Sequence, residues 1–124
     1  MTHLEPGAVL APQEYAVTRA DLVAYAAASG DLNPIHWSDR VATQVGLPGV
    51  IAHGMYTMAL AARAVATWTH DAPVLEIGCK FTAPVVVGGS VKSVEDGRAT
   101  IALEVTCAGT KVLGMPRAVV AVDG

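Results

Sequence analysis

The sequence predicts an α+β fold in which one curved antiparallel sheet wraps one long buried helix, and three observations carry that prediction. Residues 54–69, GMYTMALAARAVATWT, hold a single charge, Arg63, and a helix apolar nearly all round is a buried one. After Asp71 and Pro73 the pattern changes period, and Val74–Val87, Val91–Val94, Ala99–Cys107 and Val112–Val122 are rich in Val, Ile and Thr, as strands are. Helical segments precede strands along the chain, an order that marks α+β architecture.

Each element follows from local chemistry. Short extended pieces open the chain. Thr18 followed three residues later by Asp21 resembles a capping box, so a helix is expected over Asp21–Ser29, ended by Gly30 and barred from continuing by Pro34. A second short helix is expected to start at Ser38, run through Arg40–Val45 and stop at Gly46. The long helix spans Gly54 to about Thr69, roughly 24 Å at 1.5 Å per residue. In Thr100–Cys107 the alternation puts Ile101, Leu103 and Val105 on one face, with Thr100, Glu104 and Thr106 on the other. Turns are expected at Gly88-Gly89, Asp96-Gly97 and Gly109. Pro84 and Pro116 predict an edge, bend or bulge in their strands.

Composition narrows the function classes. The 124 residues fit one domain, 1–124, with 52% hydrophobic and 15% charged residues against about 25% charged in an average chain. That is more apolar surface than one small domain hides, so an oligomer is expected. The net charge of −3 and the lack of a basic cluster argue against nucleic acid. Cys79 and Cys107 lie in apolar stretches with no ligand spacing and are read as buried reduced thiols. Residues 1–10 have no basic stretch followed by an apolar core, and His53, Gly54 and Arg63 interrupt the run from Val50 to Trp68. Neither a signal peptide nor a membrane span is expected, and the expected compartment is the cytoplasm.

The chemistry concentrates in Tyr25–His36, YAAASGDLNPIH. Asp31 and His36 stand in a loop stiffened by Gly30 and Pro34, with Asn33 able to bond its own backbone. A stiff loop holding an acid near a histidine suits general acid–base work. Structural readings stand beside this one: Asp31 as a cap, His36 as an ordinary hydrogen-bonded histidine. The two could also be part of a metal site, but His3, His53 and His70 show no recognisable ligand spacing, so metal ranks below catalysis and no cofactor is expected.

Tyr25, Ser29, Gly30, Asp31, Asn33, Pro34, Ile35, His36 and Ala42 match a known pattern: an aromatic, a short spacer, Ser-Gly-Asp-x-Asn-Pro-aliphatic-His, five residues and a small residue. In this the sequence resembles the MaoC-like hydratase/dehydratase family and its hydratase-2 motif, found in (R)-specific enoyl-CoA hydratases. Two further blocks, Ile51–Met58 (IAHGMYTM) and Phe81–Gly88 (FTAPVVVG), resemble the family's central-helix start and following strand. Through Ser29–Trp37 and Ala52–Met58 the chain is most similar to the catalytic beta subunits of actinobacterial (3R)-hydroxyacyl-ACP dehydratases. One departure is Gly88-Gly89-Ser90 where the family often has Gly-Asp, a position read as a turn.

The resemblance implies a hotdog fold, a homodimer or a heterodimer with a related hotdog subunit, and an acyl-CoA or acyl-ACP substrate. It also implies reversible hydration of a trans-2-enoyl thioester to the (3R)-hydroxyacyl thioester, with Asp31 and His36 catalytic. His36 is read as handling the C2 proton and Asp31 as positioning or protonating the leaving water, the reverse allocation staying open for a coupled pair. A histidine, with an unperturbed pKa of about 6.5, suits proton transfer near neutrality. Charge building on the thioester oxygen needs a donor, and the Gly54 N–H at the helix N-terminus is assigned to it, beside a reading of Gly54 as packing alone. Asn33 is expected to support the loop before it touches substrate. Ser29 bonds the loop or finishes its helix. His53 is read as structural, and Met55, Tyr56 and Met58 as core or as lining for an acyl chain. Two rivals remain: an acyl-thioester hydrolase, disfavoured because Gly54–Thr69 holds no Asp or Glu, and a subunit that binds acyl chain and partner without catalysing.

Overall fold

The computed structural model describes residues 4–81, 87–95, 98–107 and 110–121. They belong to two compact units, one of Ala16–Thr57 and one of Met1–Tyr15 with Met58–Gly124.

The first unit begins with helix α1, Arg19–Ser29. The Thr18 hydroxyl accepts from the Asp21 N–H at 3.2 Å, and the Asp21 carboxylate accepts from the Thr18 N–H at 3.0 Å, which completes the capping box. That second bond, with the hydroxyl contact behind it, lowers the Asp21 pKa. At the other end Gly30 takes φ 77° and closes the helix through its N–H to Ala26 O, a left-handed cap open to glycine at no steric cost. One 3-10 turn follows at Pro34–His36, with proline at its start, where the missing N–H is not needed. Helix α2, Asp39–Gln44, is capped by the Ser38 hydroxyl and followed by Gly46 at φ 91°. Ala42 in α2 is fully buried, the position at which the sequence pattern asks for a small residue. Arg19 pairs with Asp39 across this unit.

Helix α3 runs from Gly54 to Thr69. It is less uniformly buried than its composition suggests. Leu60, Ala61, Ala64, Val65 and Trp68 are buried, while Met55, Ala59, Arg63 and Thr67 form an exposed stripe at four-residue spacing. Alanine and methionine are apolar without dictating burial, so the side they occupy is set by packing.

In the second unit the strands are β1 (Val9–Gln13), β2 (Val74–Phe81), β3 (Val87–Glu95), β4 (Arg98–Cys107), β5 (Thr110–Lys111) and β6 (Leu113–Ala121). Among the described residues they form one antiparallel sheet in the order β1-β3-β4-β6-β2, with β5 on β4. Ile101, Leu103 and Val105 of β4 are buried, as alternation predicts. The Trp68 Nε1–H donates to Ala11 O at 2.6 Å, tying α3 to β1. The irregularity expected at Pro116 is present. Pairing of β6 with β2 shifts between Gly114 and Arg117, and Met115 takes φ 49°.

Three expectations need correction. Gly88-Gly89 is not a turn: both residues lie inside β3, opposite Glu104 and Leu103 of β4, because ladder partners far along the chain override local turn preference. The run expected as one strand from Val74 to Val87 is two, β2 ending at Phe81 and β3 starting at Val87. Cys79 is a free thiol only half-buried in β2, its pKa raised by partial desolvation. Pro84, Asp96-Gly97, Gly109 and the side chain of Cys107 lie outside the described residues. The strands on either side of Asp96-Gly97 pair Glu95 with Arg98. Among the described residues no helix is long and apolar enough to cross a membrane.

Candidate active site

The segment from Ser29 to His36 is stitched by its own side chains. The Ser29 hydroxyl accepts from the Asp31 N–H at 3.2 Å, Asp31 Oδ1 from the Asn33 N–H at 3.3 Å, and Asn33 Oδ1 from the Ile35 N–H at 3.2 Å. Three polar residues in steps of two therefore each fix a turn. The Trp37 indole N–H donates to Leu32 O at 3.0 Å. A second strand of chain closes the loop from behind, where the Ile51 N–H reaches Ile35 O at 3.1 Å.

His36 is buried, while Asp31 is about half exposed, and His36 Nε2 stands 3.9 Å from Asp31 Oδ2. His36 Nδ1 lies 2.7 Å from Ile51 O. A carbonyl only accepts, so Nδ1 carries the proton and the neutral ring presents a bare Nε2 to the carboxylate. Two acceptors facing each other across 3.9 Å do not bond directly. A water or hydroxyl oxygen about 2.8 Å from each atom spans such a gap.

His53 joins the pair, a participant that spacing along the sequence did not reveal. Its ring stacks on His36 with centroids 3.7 Å apart and planes 22° apart. Its Nε2 lies 3.2 Å from Asp31 O, so Nε2 carries the proton. The remaining nitrogen, Nδ1, is buried with no hydrogen-bond partner among the described residues. Tyr25 packs edge-on against His53 at 4.8 Å and against Tyr56 at 5.2 Å, giving the motif's aromatic residue its place. Spacing could not have found His53, but the His-Gly pair at the start of an apolar helix was a usable signal.

Gly54 follows His53 and opens α3. The first helical rung joins the Thr57 N–H to His53 O at 3.1 Å, so the Gly54 and Met55 N–H groups precede the ladder and point out of the helix end. Met55 is exposed and Tyr56 and Met58 are half-buried, so none of the three is closed core within this chain.

Asp31, His36 and His53 place possible ligand atoms within 4.8 Å of one another. Their geometry does not suit a metal ion. An ion sits in the plane of each imidazole about 2.0–2.1 Å from nitrogen, whereas rings stacked 3.7 Å apart and nearly parallel leave an ion between them well outside both planes. The arrangement fits proton transfer better than coordination.

Outside the loop, Asp39 uses both carboxylate oxygens. Arg19 holds one, and the Val50 N–H donates to the other at 3.1 Å. The Arg19 guanidinium first, and the Val50 N–H second, keep the Asp39 pKa below the usual carboxylate value.

The MaoC like domain family matches residues 3–112. The chain is 36% identical over 96 residues, 71% of its length, to 3-hydroxyacyl-thioester dehydratase Y of Mycobacterium tuberculosis, and spans 33% of that protein. It is 36% identical over 72 residues, 56% of its length, to fatty acid synthase subunit beta of Saccharomyces cerevisiae and spans 4% of it. The curated relatives are therefore much longer proteins than the part this chain covers. Among solved structures, a MaoC-like dehydratase superposes with a TM-score of 0.91 at 31% identity, over 97% of this chain and 41% of that one. R-Hydratase PhaJ1 from Pseudomonas aeruginosa superposes at 0.86 and 29% identity, over 98% and 84%. The architecture is accordingly the hotdog fold, and the chain belongs to the family of MaoC-like dehydratases.

Proposed function

We propose that this chain catalyses the reversible addition of water to a trans-2-enoyl thioester, giving the (3R)-hydroxyacyl thioester. The observation that carries the reading is the Asp31–His36 pair, with its two acceptors 3.9 Å apart and the His36 tautomer fixed by Ile51. The reacting water sits between them. In hydration the pair starts with one proton on His36 Nε2. The Asp31 carboxylate takes a proton from the water as its oxygen attacks C3, and Nε2–H gives its proton to C2. The proton now on Asp31 returns to Nε2 across the 3.9 Å gap. Dehydration reverses these transfers. His36 Nε2 is the better group for C2, since it is the buried one, and Asp31, half exposed, handles the water. Negative charge on the thioester oxygen is met by the Gly54 N–H at the start of α3, where the helix dipole adds to the donor. Asn33 and Ser29 hold the loop.

The acyl group arrives on coenzyme A or on an acyl carrier protein, no metal or cofactor takes part, and the setting is cytoplasmic. Residues 1–124 act as one domain, and the working unit is a dimer of two such chains or of this chain with a related hotdog subunit. Support for a dimer comes from β2, which ends the strand order and carries exposed Val74, Leu75 and Phe81. A long apolar edge strand is a surface that pairing covers.

The test follows the enoyl conjugation and free thiol together, with the chain expressed alone and a series of trans-2-enoyl-CoA lengths. Loss of conjugation without thiol release is expected. Thiol release would mark a thioester hydrolase, and a folded chain inert on every length would mark a binding subunit. Asp31→Asn and His36→Ala are each expected to lower kcat by about 10²–10⁴-fold, the range of a lost general acid or base, with the fold intact by circular dichroism.

A further inference from the structure

His53 stands in an odd position for a structural residue. It is 2% exposed, yet its Nδ1 has no hydrogen-bond partner among the described residues. A buried acceptor left bare is a net cost to the fold, and phenylalanine would fill the same space without it. What histidine offers here, and phenylalanine lacks, is the Nε2–H, directed at Asp31 O at 3.2 Å. The same ring lies flat on His36 at 3.7 Å. One side chain thus touches the backbone of one member of the pair and the ring of the other. Tyr25, edge-on at 4.8 Å, supports it from the side.

We infer that His53 is a positioning residue for the hydration reaction, holding Asp31 through its backbone carbonyl and His36 through ring stacking, so that the two acceptors keep the gap that receives water. The inference rests on the reading of Asp31 and His36 as an acid–base pair. Nδ1–H of His36 is anchored to Ile51 at one edge, but a single hydrogen bond leaves a ring free to tilt about it. The face of His53 stops that tilt. Its π face also suits the cationic ring that His36 becomes on taking a proton. On the other side, the Ser29, Asp31 and Asn33 bonds fix the turns of the loop only against themselves. The bond from His53, 22 residues away in sequence, fixes the loop against the start of α3.

Three variants separate the two contacts. His53→Phe keeps the ring and loses the donor, His53→Gln keeps a donor at similar reach and loses the ring, and His53→Ala loses both. Full-length chains are compared in steady-state hydration of a trans-2-enoyl-CoA, in thermal unfolding, and by NMR of the His36 ring. His53→Phe is expected to melt at or above the parent temperature while kcat falls about tenfold with KM within about threefold, because misplacement of a catalytic group acts on the transition state. His53→Gln should recover part of the loss seen in His53→Ala, and the His36 ring signals should move downfield in both as the stacked ring is removed. A His53→Phe variant with kcat within about twofold of the parent overturns the inference, as does a fall in kcat that only tracks lost stability. If the parent turns over no enoyl thioester, the hydratase reading falls on its own. The ring signals then decide the role of His53: unchanged signals in His53→Ala overturn it, and shifted ones uphold it.

Discussion

Two segments of comparable length, the loop Ser29–His36 and the strand β2, show opposite ways of satisfying a chain. In the loop, three side chains in steps of two each take a backbone N–H close by, and the polar groups are met within a few residues. In β2 the backbone is met on one side by β6, while Val74, Leu75 and Phe81 stand exposed at the end of the sheet. The loop meets its polar groups within itself; the strand leaves one edge and three apolar side chains uncovered among the described residues. The candidate site and the exposed apolar edge thus lie in different parts of the sequence.

The largest effect that would break this contrast is at the strand. Leu75→Glu places a charge on the apolar edge and is expected to leave a folded monomer, by sedimentation or light scattering, where the parent is expected to sediment as a dimer. A Leu75→Glu chain that still dimerises would take the interface away from β2. Next is the loop. Asn33→Ala removes the acceptor for the Ile35 N–H and should cost about 0.5–2 kcal/mol, as the loss of a capping side chain does, and lower kcat about tenfold by loosening His36. Ser29→Ala is smaller, about threefold in kcat, because the Ser29 bond orders only the start of the loop.

The smallest effect tests Asp39, outside the loop. Its folded pKa lies below the ordinary value of 3.8, first through Arg19 and then through Val50. The stability it contributes is therefore present above about pH 3.8 and is lost as pH falls through the lowered folded value. Unfolding temperature should drop less steeply with acid in Asp39→Asn than in the parent. Identical slopes would show that the Arg19–Asp39 contact carries no folding free energy.

The contrast also explains what could be read in advance. The Thr18–Asp21 box, the Gly30 cap, and the Ser38 and Gly46 boundaries of α2 depend on residues within one turn of each other, and all stand where the residues indicated. Asp31, Asn33 and Ser29 are legible for the same reason, since a stiff loop announces itself through Gly, Pro and Asn. His53 is not legible beside Asp31 and His36 because the three are brought together only by the fold. Gly88-Gly89 has the local chemistry of a turn, but the partners that keep it extended, Glu104 and Leu103, belong to another strand. The exposed stripe of α3 is not legible in the sequence because a run of alanines has no side that composition can distinguish. Local chemistry was legible; facing surfaces were not.

The bond from His36 Nδ1 to the Ile51 carbonyl has a kinetic meaning. An imidazole with one nitrogen committed to the backbone cannot pass a proton through the ring to its far side. Whatever arrives at Nε2 must depart from Nε2. In the proposed reaction a hydrogen lifted from C2 would therefore be held at Nε2 until it returned to carbon or passed to the water and the half-exposed Asp31 that face that nitrogen. Label carried at C2 would then wash out by that one side of the ring alone, and the fraction returned to carbon would report how fast that side exchanges with solvent.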